Sequence, residues 1–199
     1  MKKTLTLVLS LALAVAIGIG GTLAWLTSST GPVTNTFTVG KLAITLDEAP
    51  VDANGKTTTG DRGAGNSYKL MPGHTYDKDP TVHVQPGSEA CFVFVKVENG
   101  ISEIESTTNP IANQITTQGW TAVEGHEGYY YKQQGAVAED AAVVDLVVFK
   151  SFQIADNANC AAYTDKQIVI TACAIQADGM TNVADAFSKC PSAFTGIGA

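Results

Sequence analysis

Residues 91–97, Cys-Phe-Val-Phe-Val-Lys-Val, put apolar side chains on both faces of a period-two alternation. Cys91, Val93, Val95 and Val97 share one face, while Phe92, Phe94 and Lys96 share the other. A strand with one apolar face can border water, but this one needs cover on both sides, so it reads as a central strand ending at Asn99-Gly100. The rest of the chain must supply its neighbours and the layers above and below.

Those neighbours are legible as short β-type runs. Leu42, Ile44 and Leu46 alternate after Gly40. Residues 48–67 are polar and Gly-rich, with turn signals at Asn54-Gly55 and Asp61-Arg62-Gly63, and read as a long surface loop. Residues 68–71 suggest a short strand before Pro72-Gly73, and 74–80 a second loop. A hairpin follows, 81–85 and 89–98 about a turn at Pro86-Gly87-Ser88. Asn109-Pro110 suggests an N-cap with proline at the first helical position, opening a short helix over 111–115.

Residues 119–123 and 129–133 read as strands joined by a glycine-containing turn, 143–154 as one strand bent near Lys150-Ser151, 166–177 as the last long strand, and 182–189 as a closing helix. About seven to nine uneven strands with two minor helices is the pattern of an antiparallel sandwich rather than of βαβ units. Phe94 and Ile170 both fall in long strands and are expected to be buried. His83, between Val82 and Val84, falls on the polar face of its strand.

The N-terminus carries an address. Lys2 and Lys3 precede an apolar run over 5–17, and Thr22-Leu23-Ala24 supplies small residues at −3 and −1, predicting signal-peptidase cleavage after Ala24 with Trp25 as the new N-terminus. The alternative is an uncleaved membrane anchor, since the run from Leu5 to Leu26 has about the length of a bilayer span. Beyond the cut, Val33, Phe37 and Val39 alternate with Thr34, Thr36 and Thr38. The expected organisation is therefore a leader over 1–24, an arm or donor strand over 25–40, and one β-domain over 41–199.

The junction GIGGTLAWLTSS followed by NTFTVGKLAITL resembles the export and first-strand region of the TasA/camelysin family of Gram-positive secreted proteins, and two more fragments fit it. These are Leu70-Met71-Pro72-Gly73 and the strand IVITACAIQA, residues 168–177, with Asp178-Gly179 after it. The resemblance implies removal of the leader by a dedicated ER-type signal peptidase, a jelly-roll sandwich, and a biofilm-matrix or cell-surface subunit that forms fibres. The partners so implied are further copies of the chain, head to tail, and other matrix proteins. Independently, the uncharged, Thr-rich arm suits addition to the sheet edge of a neighbour.

With 12 Lys+Arg against 19 Asp+Glu the net charge is −7, and loss of Lys2 and Lys3 with the leader makes it more acidic still. No basic cluster follows Lys3, which argues against nucleic-acid partners. Camelysin-like relatives are described as metalloendopeptidases, but a zincin needs two histidines one helical turn apart with a glutamate between them. His74, His83 and His126 lack that spacing and read as solvent-facing. Asp52, Asn54 and Asp61, or Asp77 and Asp79, could supply oxygen ligands to calcium, yet turn chemistry accounts for them.

No cofactor is therefore expected, nor any nucleophile motif. A monomeric surface-binding domain remains the other alternative. In Tyr129-Tyr130-Tyr131, alternation packs two rings in the sheet and turns the middle one outward. Cys91, Cys160, Cys173 and Cys190 allow three pairings after export. Cys91 and Cys173 lie in strands, where a small buried thiol is the simple reading. If one bridge forms, the favoured pair is Cys160 with Cys190, in loop and helix-end contexts.

Overall fold

The computed structural model describes residues 40–196. The expected cleavage site (Thr22, Ala24, Trp25) and arm (Val33, Phe37, Val39) lie outside the described residues. The described residues belong to one compact unit that begins at Gly40.

Among the described residues the fold is all-β, with few short helices and every strand pairing antiparallel. One sheet has the order β1-β3-β7 (Ile44–Asp47, Thr81–Val84, Val144–Val147), and a two-stranded sheet joins β2 (Thr75–Asp77) to β8 (Ser151–Gln153). The third has the order β5-β6-β4-β9: Thr121–Ala122, Tyr129–Gln134, Cys91–Asn99 and Ile168–Gln176. Three α-helices accompany them, α1 (Ile111–Thr117), α2 (Val183–Ser188) and α3 (Ser192–Thr195).

β4 is the central strand that its two-faced pattern demands. Cys91, Val93 and Val95 enter one cluster with Val82 and Val84 of β3, Leu146 of β7, and Tyr76 and Phe152 of the small sheet. Phe92 and Phe94 enter a second cluster, closed by Ala186, Phe187, Cys190 and Phe194 from the C-terminal helices. Phe94 is fully buried, and its ring lies 5.4 Å from Phe187. Each such side chain contributes about 1.5–3 kcal/mol on burial. Asn182 caps α2 by accepting the Asp185 N–H at 2.9 Å, so the closing helix starts where its cap residue places it.

Several expectations need correction. β3 and β4 are not a hairpin, because β3 pairs with β1 and β7 while β4 pairs with β6 and β9. The Pro86-Gly87 turn forms, with Gly87 at φ +77°, but its flanks are already engaged elsewhere. Gln85 and Glu89 N–H donate to Ala43 and Lys41 carbonyls, and Val137 N–H donates to Ser88 O. The chain therefore crosses from one sheet to the other. Residues 68–71 form no strand, since the Tyr76 hydroxyl satisfies their backbone by donating to Lys69 O (2.7 Å) and accepting from Met71 N–H (2.8 Å).

The 74–80 loop contains β2, held by Tyr76 stacked on Phe152 at 4.9 Å. The 143–154 run bends as expected near Lys150, into two strands in different sheets. Buried Gln114 of α1 stabilises the break, its Oε1 accepting from Lys150 and Ser151 N–H and its Nε2 donating to Ser151 O. Pro110, not Asn109, is the N-cap of α1, and the Glu105 carboxylate accepts the Ile111 N–H at 2.7 Å in place of a cap side chain.

The 48–67 loop is pinned rather than free. Gly55, at φ +72°, is buried beneath the Tyr76 ring, and a Cβ there would collide with it. Ile170, expected to be buried like Phe94, is only half-buried. Tyr130 does not point to solvent: it packs against the first cluster while Tyr129 and Tyr131 serve the second, because both faces of β6 are covered.

Candidate assembly edge

β9 pairs with β4 along its whole length, from Ile168 opposite Asn99 to Gln176 opposite Cys91. Among the described residues no strand pairs with its other side. Nine residues at about 3.3–3.4 Å each present an edge of roughly 30 Å with unpaired backbone donors and acceptors. Ile168, Ile170, Ala172 and Ala174 turn half-buried faces toward the first cluster, and Val169 stands 36% exposed. β1, the neighbouring edge of the three-stranded sheet, approaches β9 and carries the half-buried Ile44 and Leu46.

Between these two edges opens a cleft of about 870 Å³, walled by Leu46, Tyr68, Leu70, Phe152, Ile168 and Ile170. At its polar end Lys78 donates to Glu48 Oε2 at 2.5 Å, with both side chains less than a tenth exposed. Asn66 Nδ2 donates to the other Glu48 oxygen at 3.0 Å, so the buried carboxylate is satisfied on both sides. Burial, reinforced by the Glu48 charge, pushes the Tyr68 phenol well above its ordinary range, and its hydroxyl donates to Asp77 O.

The sequence-derived site residues separate on this frame. His83 lies on the polar face of β3 as expected, yet it is only 12% exposed, with Nε2 2.9 Å from Asp47 and Nδ1 2.7 Å from Asp145. Arg62 clamps Asp47 (2.5 Å) to Asp79 (2.8 Å). The solvent-facing reading of His83 is therefore corrected, since cross-strand register places Thr45 and Asp145 opposite it and Asp47 within reach. Burial pulls the imidazole pKa down, but hydrogen bonds to the two aspartates outweigh it and raise the pKa above 6.5. Burial likewise pushes Asp47 up, while His83 and Arg62 together hold it below its ordinary value.

The signs give a pH window. A raised histidine pKa stabilises the fold below about pH 6.5 and loses that effect as pH rises through the folded value; a lowered aspartate pKa stabilises above about pH 4 and loses it as pH falls. His83→Ala is expected to cost about 1–2 kcal/mol at pH 6, after discounting for the exposed Asp145. The loss should shrink toward pH 9 in urea unfolding, and a pH-independent loss would contradict the bridge.

The acidic loop residues serve the backbone. Asp52 accepts from Asn54 and Lys56 N–H, Asp77 from Thr57 N–H and Lys56 Nζ, and Asp79 from Ala49 N–H, while Asp61 is exposed. His74 is exposed beside Tyr76, and His126 rests on Phe187 with ring centroids 4.6 Å apart. Among the described residues no group of three or more His, Cys, Asp or Glu side chains is placed to hold a metal ion.

Cys160 packs against the first cluster and Cys190 sits in the second, so the four-stranded sheet separates the pair favoured from sequence. Cys173, in contrast, lies against Cys190 in the second cluster. Compared with protein-family models, curated proteins and solved structures, the chain matches none.

Proposed function

We propose that this protein is a secreted structural subunit that assembles head to tail into fibres of a cell surface or biofilm matrix. In this reading the leader is removed after Ala24 by an ER-type signal peptidase, and the domain is a jelly roll. Residues 33–39 of one copy add as a strand to the open β1/β9 side of the next, alone or alongside other matrix proteins. The observation that carries the reading is the nine-residue edge of β9, which no strand pairs among the described residues and which borders a cleft of mixed polar and apolar lining. Long open edges of this kind recruit strands by main-chain hydrogen bonding, with alternate side chains setting the register.

An arm of sixteen residues, 25–40, extends to roughly 50 Å, enough to reach along that edge. Its contact joins two different surfaces, so it propagates instead of closing. Electron microscopy of the purified chain beginning at Trp25, incubated at high concentration, is expected to show fibres. Dispersed monomers under the same conditions would count against the reading.

A further inference from the structure

We propose that Cys173 and Cys190 are partners in an intramolecular disulfide that ties the C-terminal helices to β9. Cys173 lies opposite Phe94 in the β4–β9 register, and its side chain packs on the face that holds Phe92, Phe187 and Phe194. After β9 the chain turns back through α2, whose Ala186 and Phe187 enter that cluster. The Cys190 N–H donates to Phe187 O at 3.1 Å, which anchors the cysteine just past the helix end. Cys190 is buried in that cluster and Cys173 packs against it, close enough for the two side chains to interact. Cys91 lies buried in the other cluster and Cys160 packs on that same far side, so Cys173 and Cys190 share the second cluster with no other cysteine.

The chemistry has an order. Interaction with the Cys190 side chain holds the Cys173 thiol below its ordinary pKa against the push of burial. Cys190 is the more enclosed of the two, at 7% exposure. A Cys173 thiolate attacks a small-molecule disulfide such as oxidised glutathione, breaking its S–S bond and releasing one thiol. Cys190 then gives up its proton and attacks the Cys173 sulfur, forming the internal bond and displacing the second thiol. Two protein thiols are oxidised and one small disulfide is reduced. That the bond forms in cells rests on the export proposed above; its formation in the purified protein does not.

The test treats the purified chain with oxidised glutathione under native conditions, then alkylates it and maps peptides without reduction. The expected result is a mass lower by two hydrogens, a single Cys173–Cys190 cross-linked peptide, and Cys91 and Cys160 recovered as thiols. The oxidised form should melt about 5–10 °C above the reduced one, since the bond closes a loop of 18 residues, 173–190. C160S should keep both effects and C173S should lose both. A cross-link to Cys160, glutathione retained on Cys173 or Cys190, or an unchanged mass would each overturn the proposal, and C160S preserves the test should C173S not fold.

Discussion

Phe94→Asp is expected to leave no folded protein. The side chain is fully buried at the middle of β4, paired with Tyr131 on one side and Cys173 on the other, and it touches Phe92, Tyr131 and Phe187. Removing the ring costs about 3–5 kcal/mol, and an unpaired buried carboxylate adds several more. Together these match the roughly 5–15 kcal/mol that holds a domain of this size. Soluble yield and far-UV circular dichroism read the outcome, and a cooperative unfolding curve near the parent's would refute the packing described. Ile170→Asp is the informative contrast: on the half-exposed β9 edge it should cost only about 1–3 kcal/mol and leave a folded chain.

Deleting residues 25–36 should abolish fibres while leaving the domain intact. The compact unit begins at Gly40, and β1 with its ladder to β3 lies wholly inside it. Under the assembly proposed, the deletion removes residues 33–36 of the seven-residue donor strand and keeps the acceptor, so the product should elute as a monomer with an undiminished melting temperature. Phe37→Lys should imitate it by putting a charge where the donor strand presents an apolar ring. If the arm instead completes its own subunit, the deletion will lower the melting temperature and the intact chain will remain monomeric on sizing columns.

What was readable in the sequence was whatever depends on local pattern. The two-faced run at β4, the long alternation at β9, the closing helix from 182 and the glycine turns at positions 55, 87, 125 and 128 all concern residues and their immediate neighbours. What escaped depends on partners distant in sequence. No local signal shows that Ala43 and Val137 engage the flanks of the Pro86-Gly87 turn, so two adjacent strands looked like a hairpin. Nor does one show that a helical glutamine, Gln114, supports the break at Lys150, or that a tyrosine hydroxyl replaces a ladder beside Lys69 and Met71.

At the candidate site the same division holds. The alternation placed His83 on the polar face, but only strand order reveals that β1 and β7 flank it with carboxylates. The open side of β9 was likewise hidden, because a strand's sequence does not state how many neighbours it has. The cysteine pairing failed for a related reason: strand and loop contexts say nothing of which face of the sheet a thiol occupies.

β4 is a party wall, its odd-numbered side chains serving one cluster and Phe92 and Phe94 the other. Neither compartment can loosen without disturbing the backbone that the other is built on, so the two should melt in one transition and not in sequence. The slowest amide hydrogen exchange among the described residues then belongs to β4, whose N–H groups are released only when the whole domain opens, while β9, paired on one side among those residues, permits earlier escape.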